Sequence, residues 1–392
     1  MIDRRSDDVR QFPGPENSRE DSREINPENN PENSPENIQG RPTETSRGMR
    51  NEARAPGSGG KETLDNQENL GNDQRLAPPG QWLFFGPRGL RAGWAILVYA
   101  TLCAILIVLG EFAVAPSLHL NDGAPILPST SLLLELAQFI PVIVATLIMA
   151  RIEQRPPLSY GFQGRARGIR LLSGLACGFI AISTLVLLLR GLGYLSLDGP
   201  ALAGLAVFRS ALAWGVVFLC VGFCEEAMFR GYAQFTITRG IGFWWGAFLL
   251  CVPFSLMHTA NAGESPLGLV GVAAASLVFC LSLWYTGSLW WAVGFHAAWD
   301  WGQSFFYGTA DSGMQAQGHL FASHPRGPAL WSGGATGPEG SVIVLPLLVV
   351  VALLMTAWWG KREEQPFRGM AWRPGSLHQA KAGGKNSANN SS

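Results

Sequence analysis

The sequence predicts an all-α membrane protein: about eight transmembrane helices around a polar cavity inside the bundle, preceded by a disordered N-terminal segment. Three observations predict it. From about Trp82 to Gly360 charges are sparse, and runs of Leu, Val, Ala, Ile, Phe and Trp recur. Runs of about 18 apolar residues are long enough to cross hydrocarbon as helices. Trp94, Trp244, Trp245, Trp284, Trp290, Trp358 and Trp359 fall near the ends of these runs, as an aromatic belt at the membrane surface would. Carboxylates and imidazoles stand inside several runs, where isolated charge costs on the order of several kcal/mol; such groups face one another or a cavity rather than lipid.

The chain divides into three parts. Residues 1–80 are rich in Pro, Glu, Asn, Ser and Gly. They hold too little apolar surface to offset ordering entropy, so a disordered tether is expected. Pro-Glu-Asn recurs there at Pro15, Pro27, Pro31 and Pro35. No short apolar core follows a basic start, so a cleavable signal is not expected. Residues 81–360 form the multi-pass domain. Its runs extend from about Trp94 to Ala115, Ser131 to Ala150, Leu171 to Leu192 and Val207 to Arg230. The later ones extend from about Phe243 to His258, Leu267 to Trp284, Leu289 to Phe306 and Val342 to Trp359. Residues 361–392 form a basic tail, expected to be disordered and cytoplasmic.

Arginine placement gives an orientation. Arg151, Arg155, Arg165, Arg167 and Arg170 surround the second connection, and Arg230 and Arg239 follow the fourth run. The first and fifth connections carry no Lys or Arg, and the seventh has only Arg326. Positive-inside counting puts both termini in the cytoplasm. The net charge is zero. With no basic stripe, nucleic-acid binding is excluded as an expectation. The six cysteines all lie in apolar runs without a CxxC pair, which reads as packing rather than redox or zinc-ribbon chemistry.

The chemistry concentrates in three runs. The fourth ends in Glu225-Glu226-x-x-x-Arg230. Glu226 and Arg230 share a helical face and form an ion pair. Glu225 points about 100° away and stays free. The fifth run ends in Phe254-x-x-x-His258, which sets a ring one turn from an imidazole. The seventh carries His296-x-x-x-Asp300, again on one face. The other histidines (His119, His319, His324 and His378) fall in loops or tail. Glu111 is expected to reach the interface at the end of the first run. Glu135 and Arg209 are expected to pair structurally, outside the site.

These three motifs, in this order on successive apolar runs, resemble the CPBP intramembrane proteases, also called the Abi or CAAX prenyl protease-like family. The resemblance covers about Val207 to Phe306. It implies an intramembrane endopeptidase that hydrolyses a peptide bond of a membrane-anchored protein or peptide near the cytoplasmic face. Glu225 and His258 would activate water, and His296 and Asp300 would stabilise the oxyanion. Glu226, Arg230 and Phe254 would support them. Prenyl-protein proteases carry Asn where this chain has Asp300. An unprotonated Asp donates no hydrogen bond, which favours orienting His296, or supporting a bound metal, as its role. The cofactor expectation is zinc, held by Glu225, His258 and His296, or none. The alternative is a non-catalytic immunity or scaffolding protein of the same family. A proton-coupled transporter is the third reading, but no inverted hydropathy repeat supports it. The expected setting is multi-pass, in contact with lipid, in a bacterial inner (plasma) membrane.

Overall fold

The structure is a computed structural model of the 392-residue chain; it describes residues 81–86, 89–118, 126–164, 166–361 and 366–367. Residues 1–75 and 76–392 are two separate units, and all described residues belong to the second. The expected tether, His119, Arg165, His378 and most of the basic tail lie outside the described residues.

Every apolar run folds as helix. The helices of eight residues or more are α1 (Ala92–Val114), α2 (Pro128–Ile152), α3 (Arg167–Gly191), α4 (Leu205–Glu226), α5 (Gln234–Ile241), α6 (Phe243–Met257), α7 (Pro266–Thr286), α8 (Trp290–Trp301) and α9 (Val344–Trp359). A π-helical turn, Ala227–Ala233, joins α4 to α5, so that one 37-residue helix runs from Leu205 to Ile241. Another π turn, Gly302–Phe306, prolongs α8. A short hairpin, β1 (Phe85–Gly86) with β2 (Gly89–Leu90), precedes α1. Antiparallel β3 (Leu195–Pro200) and β4 (Phe321–Pro325) join the α3–α4 and α8–α9 connections.

Eight spans were expected, and among the described residues six helices are long and apolar enough to cross a membrane alone. The other two differ for different reasons. α8 is buried along Trp291–Asp300, so it is sheathed by protein and need not match lipid. α9 has 16 residues, about 24 Å at 1.5 Å per residue, short of a hydrocarbon core of about 30 Å. The outer helices expose Ile105, Leu109, Leu147, Ile180, Phe248, Leu249, Leu353 and Leu354. In water such a surface would aggregate; in a bilayer it is solvated.

Glycine fixes the position of α8. A Cβ at Gly174 would overlap the Trp291 carbonyl oxygen, one at Gly178 the Phe295 carbonyl oxygen, and one at Gly294 the Leu171 carbonyl oxygen. Backbones therefore touch along α3 and α8, the close approach that small residues four apart allow between membrane helices. Gly222 does the same for α4, where an added Cβ would lie 3.0 Å from the Val293 oxygen.

The two ends of the bundle are built differently. At the arginine-rich end, Glu153 accepts from the Tyr160 hydroxyl at 3.1 Å, the Tyr232 hydroxyl at 2.7 Å and Arg239 Nη2 at 2.6 Å. Burial and the Glu153 carboxylate push the Tyr160 phenol above its ordinary range, so it stays a donor. Leu289 N donates to Gly161 O at 2.9 Å, and Trp290 Nε1 to Phe162 O at 3.2 Å. This end is a closed floor. At the opposite end the long 307–343 connection folds over the helix ends. Trp214 Nε1 donates to Gln317 O at 2.9 Å, and Ser210 Oγ donates to Gly318 O.

Candidate active site

The sequence left a problem of depth. Glu225 lies late in one helix and His258 ends the next, so straight spans of ordinary length would separate them. The structure resolves it by length: the fourth helix continues to Ile241, with Gly231 out of helical geometry (φ −77°, ψ −117°). Glu225 thus sits near mid-helix. α6 passes through Pro253 and reaches Met257 before a 3-10 turn holds His258.

A cavity of about 460 Å³ opens among these helices, and Glu225, His258, His296 and Asp300 all line it. The four residues proposed for chemistry are therefore brought together. Glu226 and Arg230 sit beneath it. They pair at 3.0 Å and are almost wholly buried. The Arg230 guanidinium lies 4.0 Å from the Phe254 ring centroid and 5.4 Å from that of Phe279. Stacking of this kind offsets part of the desolvation of a buried cation. Phe254 and Phe279 separate that pair from the cavity they line.

His296 is the hub. Its ring stacks on Phe279 at 5.2 Å. Nδ1 faces Glu226 Oε1 at 3.4 Å, while Nε2 lies 3.6 Å from both Glu225 Oε2 and Asp300 Oδ2. Glu225 Oε2 is buried and makes no hydrogen bond among the described residues. His258 Nδ1 is 2.9 Å from the Phe254 carbonyl. A carbonyl only accepts, so Nδ1 carries a proton, which leaves Nε2 as the ring nitrogen that can turn to the cavity.

The predicted zinc set is not assembled. Among the described residues no three His, Cys, Asp or Glu converge as metal ligands. The carboxylates instead face the imidazole directly.

Sequence reasoning missed part of the wall. Glu135 lines the cavity within electrostatic reach of Glu225. The expected Glu135–Arg209 pair does not form: Arg209 is exposed, and Glu135 turns inward where α2 packs on α4. Glu111 also lines the cavity rather than only reaching the interface. Asp311 and Glu339 come from the α8–α9 connection. Asp311 accepts from Ser304 Oγ at 2.8 Å and Gln303 Nε2 at 3.2 Å. Burial, then the Glu339 carboxylate, hold it well above the usual carboxylate range. Glu339 in turn accepts from Ser312 N and from Ser312 Oγ, the latter at 2.9 Å. Among the described residues no Lys or Arg lines the cavity.

Residues 207–302 match the family model described as Rce1-like, Type II CAAX prenyl endopeptidase Rce1-like. The matched segment begins in α4, ends at the turn after α8, and contains all four cavity residues. Over that segment the chain is similar to this family, and with its long apolar helices the protein is an integral membrane protein. No curated protein and no solved structure matches the chain.

Proposed function

We propose that this membrane protein is an intramembrane endopeptidase that hydrolyses a peptide bond of a membrane-anchored protein or peptide. The observation that carries the reading is the convergence of Glu225, His258, His296 and Asp300 on one cavity, with Glu225 Oε2 making no hydrogen bond among the described residues. Water held between Glu225 and His258 Nε2 attacks the scissile carbonyl carbon. Glu225 takes the water proton and returns it to the departing amine as the C–N bond breaks. His296, gripped between Phe279 and the carboxylates, offers an N–H toward the tetrahedral oxygen, and Asp300 orients it. The family description, a CAAX prenyl endopeptidase, supports this reaction class. The proposed setting is a bacterial inner membrane.

The test is cleavage of fluorogenic membrane peptides by the purified full chain. Glu225→Gln and His258→Ala are each expected to lower kcat/KM by about 10²–10⁴, with melting temperatures near wild type. Glu225→Gln cleaving at the wild-type rate would overturn the role of Glu225 as base, and Glu225→Gln keeping full biological activity in cells without cleaving would overturn the enzyme and leave the immunity or scaffolding role.

A further inference from the structure

We propose that the cavity opens on the non-cytoplasmic side of the membrane, so that the bond cut belongs to a polypeptide segment presented from that side. The second clause rests on the proteolytic reading; the first does not.

The argument is one of helix direction. α1, α6 and α8 give the cavity their C-terminal parts, through Glu111, His258 and Asp300. α2, α7 and α9 run the other way and give their N-terminal parts, through Glu135, Gly271 and Val344. In alternating spans these are the same end of the bundle. The connections that complete the wall, at Asn261, Met314 and Glu339, belong to that end as well. The opposite end is the floor closed by Glu153, Tyr160, Tyr232 and Arg239.

Basic residues mark which end is which. Arg151, Arg155, Arg167, Arg170, Arg239 and Lys361 stand at the closed end; Arg190, Arg209 and Arg326 stand at the cavity end. Retention of Lys and Arg on the cytoplasmic side places the closed floor there. A segment arriving from the cytoplasm would have to pass the floor and the buried Glu226–Arg230 pair beneath Phe254. A segment just outside the opposite surface enters without crossing either. This moves the cut away from the cytoplasmic face expected from the family resemblance. It also removes the prenylated tails of cytoplasmic proteins as clients.

The test reads access, not activity. Met314→Cys, on the cavity wall, and Gln163→Cys, at the closed end, are placed in the full chain. Sealed right-side-out cells are treated with a membrane-impermeant maleimide before and after permeabilisation, with wild type giving the background from native thiols. Met314→Cys is expected to label before permeabilisation and Gln163→Cys only after it. Asn261→Cys, also on the wall, replaces Met314→Cys if the latter does not accumulate. Failure of the wall cysteine to label until permeabilisation, or early labelling of Gln163→Cys, overturns the proposal. Adding Glu225→Gln leaves the labelling pattern unchanged, so a failed protease reading and a failed topology give different results.

Discussion

Adjacent residues Glu225 and Glu226 do different work because one helical step separates their environments. Glu226 is neutralised by Arg230 under an aromatic cover. Arg230→Ala leaves a buried carboxylate unpaired, which costs about 4 kcal/mol, and is expected to lower the melting temperature sharply. Glu225→Gln, whose Oε2 has no hydrogen bond to lose, is expected to melt near wild type while losing activity; calorimetry beside the cleavage assay separates the two. This division was legible in sequence, since four-residue spacing pairs Glu226 with Arg230 and excludes Glu225. Glu135 was not legible. Its partner in the cavity is 90 residues away on another helix, and spacing within one run says nothing about which face packs on α4.

The apolar runs gave the helices and most boundaries to within a few residues, because hydrocarbon length and side-chain type set both. Run length did not tell a lipid-facing helix from the sheathed α8, whose surroundings are decided by tertiary packing. One signal was present in the sequence and unused: Gly174 and Gly178, four apart in a 25-residue apolar helix, mark a close helix contact. Gly178→Leu is expected to cost about 2–3 kcal/mol by overpacking. It should also reduce cleavage by displacing α8 and with it His296. Gly191→Leu, where an added Cβ meets nothing, should do neither; melting and activity measured on both check this. The α8–α9 connection read only as a loop, since Asp311 and Glu339 meet through tertiary folding. Asp311 also sets a pH response. Because its proton is held more tightly in the fold than in the unfolded chain, the folded state binds more protons between the ordinary carboxylate range and the raised value. Stability therefore falls as pH rises through that window. Asp311→Asn is expected to flatten the melting temperature against pH there.

At the scale of the molecule, a chamber is walled by Glu111, Glu135, Glu225, Asp300, Asp311 and Glu339, with no Lys or Arg facing them among the described residues. Those of these carboxylates that are ionised, with no fixed cation lining the chamber among the described residues to offset them, favour cationic segments over anionic ones. Peptides flanked by Lys are expected to be cleaved faster than the same peptides flanked by Glu. The gap should narrow between low salt and about 1 M, where the screening length falls to about 3 Å. The closed floor has an electrical consequence. A polar chamber reaching to mid-helix leaves the layer of Glu226, Arg230 and Phe254, with the Glu153 network behind it, as the main insulator in this part of the bilayer. Transmembrane voltage then drops chiefly across that layer. A full crossing would involve about 2.3 kcal/mol per charge at 100 mV, but a lysine moving from the mouth to Glu225 traverses only a small fraction of the drop, so the voltage of the cell neither drives nor resists loading.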